Sequence, residues 1–212
     1  IDGQGGRDLV MISTRGGRSN DLTTIYDTGT NADGVDELRI DGTGEDDVFL
    51  LRAMANPTGA AFVAKLNNGG AQIERFNYKG MEGLEVNGFS GDDLFVSDDT
   101  RAIAALNGGI GDDKFQIGQM FKSQRDDNRQ TANLADDDVF ATVETTRGWL
   151  SNGVTFPMTV NGGTGNDEFV VFRNKAVLTL NGGDGDDLFT VRAFALAGSQ
   201  EDDRARTDLK GD

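Results

Sequence analysis

Three twelve-residue phrases have the composition to hold a hard metal ion: LNGGIGDDKFQI from Leu106, VNGGTGNDEFVV from Val160 and LNGGDGDDLFTV from Leu180. Each reads aliphatic, Asn, Gly-Gly-x-Gly-x-Asp, any residue, Phe, any residue, aliphatic. Calcium takes about six to eight oxygens in flexible geometry, from carboxylates and backbone carbonyls. Glycines at Gly108, Gly109 and Gly111 let the backbone fold so that carbonyls converge, and Asp113 adds a carboxylate where the next strand begins. Gly162, Gly163, Gly165 and Asp167 repeat the set, as do Gly182, Gly183, Gly185 and Asp187. Looser copies start at Ile40, with Gly42 and Asp47, and at Val86, with Gly88, Asp92 and Asp93. One loop offers too few ligands to close a site. Two loops stacked one strand spacing apart, about 4.8 Å, can share an ion. Calcium is therefore expected where good loops lie 20 residues apart, between 88–93 and 108–113 and between 162–167 and 182–187.

These loops need strands to hold them. The second half of each phrase alternates apolar and free positions, the period of a half-buried strand. Phe49, Phe95, Phe115, Phe140, Phe169 and Phe189 recur at one position of the phrase and are expected to form a stacked core row, with Ile117, Val171 and Val191 inward on the same sheet. The second position holds Asn87, Asn107, Asn161 and Asn181, or Asp2 and Asp41, and is expected to stack as an amide ladder at one corner. Further degenerate starts lie at Ile1, Leu66 and Thr131, with a last one at Leu209. About nine coils of roughly 23 residues fit the chain, a period typical of repeat architectures. Runs such as 61–66, 83–86 and 177–180 read as strands. The stretches 118–133 and 148–158 read as outward loops, and the last twenty residues as a loop or short helix. No composition shift marks a boundary, so residues 1–212 are expected to form one all-β unit: a parallel β-helix or β-roll solenoid, cut from a longer repeat protein.

Composition agrees. Thirty glycines and two prolines suit many tight turns. The formal charge of −16 rests on 28 Asp against 8 Glu. Asp, unlike Glu, is short enough to bond within its own turn or to reach an ion held there. Cys and His are both absent, which removes disulfides, the commonest acid–base group and the commonest transition-metal ligand. The charge argues against nucleic acid, and no stretch has the apolar length of a membrane span.

The phrases resemble the hemolysin-type calcium-binding repeats, or RTX repeats, whose consensus GGxGxDxUx is matched at 108–117, 162–171 and 182–191. The resemblance implies a secreted parallel β-roll that is disordered without calcium and ordered with it. It places the family's ligands on the loop carbonyls and on Asp113, Asp167 and Asp187, with Asp93 and Asp47 in weaker copies. Family repeats run in tandem every nine residues, whereas these recur at 20 or more. Phe89 stands at the second glycine of one copy and Glu45 at the third glycine of another. The pattern is more similar to the dispersed repeats of large bacterial surface proteins and adhesins.

Two function classes follow. One is a non-catalytic, calcium-stabilised structural or adhesive segment of a large bacterial secreted or cell-surface protein. Its partners would be calcium ions, neighbouring repeats of the same long chain, and surface polysaccharide or another cell. The other is a polysaccharide-binding or polysaccharide-active, lyase-like β-helix. Carboxylates committed to metal turns make poor acid–base groups. Outside the turns the candidates, Asp98, Asp99, Arg101, Lys65 and Lys79, are scattered in sequence, and Trp149, Tyr26 and Tyr78 share no common phase.

Overall fold

The computed structural model describes residues 1–16, 21–29, 34–126, 138–192, 194 and 207–210. They form eighteen strands, numbered in chain order, and no α-helix. The first sheet contains β1 (Leu9–Ser13), β3 (Glu37–Asp41), β7 (Gly83–Ser90), β9 (Ile103–Ile110), β14 (Met158–Thr164), β16 (Leu178–Asp184) and β18 (Thr207–Lys210), side by side in that order and all parallel. The second sheet runs in the order β2 (Asp21–Tyr26), β6 (Gln72–Lys79), β5 (Ala61–Leu66), β4 (Val48–Ala53), β8 (Leu94–Ser97), β10 (Lys114–Ile117), β15 (Glu168–Val171) and β17 (Leu188–Val191). It is parallel except where β5 lies antiparallel to both β4 and β6. Apart from the β4–β5–β6 run within the second sheet and the small β11–β13 sheet, the chain passes alternately between the two sheets, and the phrases from Ile40, Val86, Leu106, Val160 and Leu180 each end a first-sheet strand, turn, and begin a second-sheet strand. The expectation of an all-β chain with parallel pairing is met.

Register aligns the phrases residue for residue. Leu106 lies opposite both Val86 and Val160, and Val160 opposite Leu180, all buried between the sheets. Phe49, Phe95, Phe115, Phe169 and Phe189 form a continuous stack across the second sheet, with ring centroids 5.3, 4.9, 5.1 and 4.6 Å apart. That spacing is the strand separation itself. Phe140 does not belong to this row. It packs edge-on against Phe121 and lies under the Arg52 guanidinium. Ile117 and Val171 are buried as expected, but Val191 is exposed on β17, the last strand of this sheet among the described residues.

The stretches read as outward loops are partly ordered. Met120–Phe121 (β11), Thr142–Thr145 (β12) and Gly148–Ser151 (β13) make a small antiparallel sheet beside the main pair, while residues 127–133 lie outside the described set. The final segment, read as a loop or helix, contributes β18, whose Leu209 stands opposite Leu180. No helix among the described residues is long and apolar enough to cross a membrane.

Replacing Phe115 by Ala is expected to cost about 3–5 kcal/mol. Its ring is held between Phe95 and Phe169 by strands that cannot close the gap. The same change at Phe189, which is only partly buried, should cost less. Urea unfolding at constant calcium measures both.

Candidate metal centre

Every sequence-selected ligand falls on one edge of the molecule, where first-sheet strands pass into second-sheet strands. The turns 42–47, 88–93, 108–113, 162–167 and 182–187 stack in that order. The structure therefore joins the two expected pairs into one row, because 108–113 and 162–167, 54 residues apart, are adjacent: Asp113 N–H donates to Asp167 Oδ1 at 2.8 Å. The small third sheet lies within this interval.

Three ladders of hydrogen bonds run along this edge. In the first, each Asn Nδ2 donates to the residue before it in the row: Asn87 to Asp41, Asn107 to Asn87, Asn161 to Asn107 and Asn181 to Asn161, at 2.6–2.8 Å. Asp2 was expected in this ladder and is not there. Ser13 takes the place beside Asp41, and Asp2 accepts instead from Thr28 and Gln4. The second ladder joins the first member of each pair, Asp46, Asp92, Asp112, Asn166 and Asp186. Asp112 N–H donates to Asp92 Oδ1 at 2.9 Å, and the exposed Asp92 thus acts as a bracket for the next turn. The third runs the opposite way through the second carboxylates. Asp47 N–H donates to Asp93, Asp93 to Asp113, Asp113 to Asp167 and Asp167 to Asp187, always to Oδ1, at 2.7–3.0 Å.

Those ladders account for one oxygen of each inner aspartate and leave the other. Asp93, Asp113 and Asp167 are each 1% exposed, and the Oδ2 of each is buried without a hydrogen-bond partner. Leaving a buried acceptor unsatisfied is costly. The orphan oxygens all face the glycine that opens their own turn. A methyl group built on Gly88 would lie 1.8 Å from Asp93 Oδ2 and 2.7 Å from the Gly108 carbonyl oxygen. On Gly108 the corresponding distances are 2.0 Å to Asp113 Oδ2 and 2.7 Å to Gly162 O, and on Gly162 they are 1.9 Å to Asp167 Oδ2 and 2.4 Å to Gly182 O. Carboxylate and carbonyl oxygens of successive turns thus converge on a point that side chains avoid. That donor set, hard and all oxygen, fits calcium. Among the described residues no three acidic side chains converge, so a site here combines single carboxylates with carbonyls.

The positive φ of Gly109 (121°) and Gly111 (138°) bends the turn, and the carbonyls of Phe89 and Gly91 in the neighbouring turn lie 2.2 and 2.1 Å from where a Cβ would stand. Phe89 holds the same place as Gly109 at φ 78°, with its ring turned outward and exposed. The turn dictates this conformation, and glycine is the residue that meets it without strain.

Electrostatics follow from burial. Loss of water pushes the carboxyls of Asp93 and Asp113 up to about 7, against the opposing N–H donors of Asp47 and Asp93, and neighbouring aspartates push the same way. Asp167 is raised for the same reason. Asp187, at the end of the row, is partly exposed.

Asp47 differs. Both its oxygens are engaged, Oδ1 by the Lys65 ammonium at 2.5 Å and Oδ2 by Thr43 N–H at 2.7 Å. Gly42 keeps its place, a methyl there lying 2.7 Å from Asp47 Oδ2 and 3.0 Å from Gly88 O, yet neither Thr43 nor Glu45 adopts the left-handed backbone that Gly109 and Gly111 supply.

The first phrase lies on the opposite edge. Its turn leads into β1 of the first sheet, so sheet order is reversed relative to the others. Here sequence reasoning passed over Asp8 and Asp27. Asp8 Oδ2 and Asp27 Oδ1 are buried and unpartnered, and a methyl on Gly3 would lie 2.4 and 3.1 Å from them. Asp8 holds the phrase position of Asp113 and was legible by alignment. Asp27 belongs to no phrase.

Away from the turns, the structure brings Asp98, Asp99 and Arg101 together beside a cavity of about 200 Å³ that Asn152 and Phe140 also line. Asp98 Oδ2 accepts from Arg52 and Gln119, and Asp99 from Thr100, Thr155 and Asn152. Lys65 and Lys79 are not among the lining residues. Comparison of the chain with protein-family models, with curated proteins and with solved structures finds no match in any of the three.

Proposed function

We propose that this chain is a calcium-stabilised, non-catalytic segment of a parallel β-solenoid, serving as structural or adhesive length in a large secreted or cell-surface bacterial protein. One observation carries the reading: three buried aspartates in adjacent turns each keep one oxygen without a partner and aim it at a neighbouring carbonyl. Calcium would supply the missing positive charge and accept oxygen ligands without demanding rigid geometry. The residues that would hold it are Asp93, Asp113, Asp167 and Asp187 with the carbonyls of Gly108, Gly162 and Gly182, and Asp8 with Asp27 on the opposite edge. The ladders keep these oxygens in line, since each Oδ1 accepts from the N–H of the preceding turn and the carboxylate cannot swing away. Alternation between the two sheets and in-register phrase pairing support a solenoid. Millimolar calcium outside cells matches the range in which extracellular calcium modules bind.

Titration calorimetry on metal-stripped protein tests this directly. Calcium is expected to bind at several sites and magnesium not to replace it, because magnesium sheds water reluctantly and requires a near-octahedral cage. Asp113→Asn keeps the Oδ1 acceptor for Asp93 N–H but removes the charge, and should lose at least one site while remaining folded in calcium. Absence of calcium binding at millimolar concentration would overturn the proposal.

A further inference from the structure

We infer that Lys65 is a built-in counter-cation: at the 42–47 turn its ammonium supplies the positive charge that calcium would supply to the other turns of the row, and so closes the ion row at that end. The inference rests on the calcium reading above and adds which turn is excluded from it. Lys65 lies on β5, the strand inserted antiparallel into the second sheet, opposite Phe49. It stands where the phenylalanine row would continue, yet it is a charged residue only 3% exposed. A lysine is rarely buried so deeply unless paired. Its Nζ reaches Asp47 Oδ1 at 2.5 Å and Thr14 Oγ1 at 3.3 Å.

The comparison with the other turns is internal to the molecule. Asp93, Asp113 and Asp167 have the same phrase position, the same burial and an orphan Oδ2. Asp47 is buried too but has no orphan: Thr43 N–H takes Oδ2, and Lys65 takes Oδ1, the oxygen that in the other turns accepts the ladder N–H, and brings a positive charge with it. The other acidic groups near the ammonium are otherwise disposed. Glu74, opposite Lys65 on β6, accepts from the Arg15 N–H at 3.1 Å, and Glu45 and Asp46 are exposed. A tethered ammonium within contact of a buried carboxylate supplies the neutralising charge permanently, without an ion to bind. A second cation there would meet a like charge with no water to screen it.

Calorimetric counting of bound calcium in the whole chain decides the matter. Asp47→Asn should leave the number of ions unchanged, whereas Asp113→Asn lowers it. Lys65→Met should raise the number by one, and the double substitution Lys65→Met with Asp47→Asn should restore the original count. Lys65→Arg, which keeps the charge, should also leave the count unchanged. Loss of an ion in Asp47→Asn would overturn the inference, as would an unchanged count in folded Lys65→Met. If Lys65→Met does not fold, the Asp47→Asn count alone decides. Failure of the calcium reading itself gives a different signature, no binding by the unsubstituted chain, and the inference falls with it.

Discussion

Chelation of calcium is expected to lower the stability of the folded chain by about 6 kcal/mol and to lower its melting temperature accordingly. A ligand that binds only the folded state stabilises it by RT ln(1 + [L]/Kd). For an extracellular-type Kd of about 10⁻⁴ M in millimolar calcium, this amounts to about 1.4 kcal/mol per site. Three orphan oxygens lie along the main edge and one convergent pair at Gly3. Four such sites together are comparable to the whole stability of an ordinary domain, about 5–15 kcal/mol. The cost of the empty state acts in the same direction. The chain carries a formal charge of −16, and its inner aspartates are stacked one strand spacing apart with water excluded. The measurement is circular dichroism and thermal melting through an EGTA titration, with magnesium added back as control. A β signal and melting temperature unmoved by chelation would leave the turns held by their hydrogen-bond ladders alone.

Much of this arrangement was legible in the residues. The recurrence of Phe at one phrase position and Asn at another translated into a ring stack and an amide ladder, because in-register parallel strands place equal positions side by side. The glycine–aspartate turns were legible for the same reason. What could not be read was adjacency across insertions. The turns 108–113 and 162–167 are 54 residues apart, with a small antiparallel sheet in the interval, so sequence distance concealed their contact. The antiparallel β5 interrupts the parallel pattern and delivers Lys65 to Asp47, a pairing that no repeat alignment contains. Asp2 missed its expected ladder because the first phrase runs from the second sheet into the first. The same reversal placed Asp8 beside Asp27, far from the other turns. Local phrase chemistry survives such reversals, but the edge on which a turn falls depends on which sheet the preceding strand joins.

Removing the metal should also reverse the sign of the pH dependence of stability. Asp93 and Asp113 have folded-state values near 7, raised by burial above the ordinary 3.8. In the metal-free protein the folded state therefore binds protons more tightly than the unfolded state. Stability is unaffected by these two groups at low pH. It declines as pH rises from about 4 to about 7 and levels off above that, when both states are ionised. Because they lie one turn apart and Asp93 N–H donates to Asp113, their protons are expected to leave as a pair. With calcium present the order inverts. Metal binding requires the ionised carboxylates, so the stabilisation it brings increases over the same interval. Urea midpoints of metal-stripped protein should thus fall between about pH 4 and about pH 7, and those in millimolar calcium should rise, so that the two curves diverge towards neutrality. Asp113→Asn should flatten the metal-free slope by about half while keeping the ladder bond from Asp93. A metal-free midpoint that stays level or climbs across this interval would mean that the buried oxygens find another partner, and that the turns do not need an ion to hold their charge.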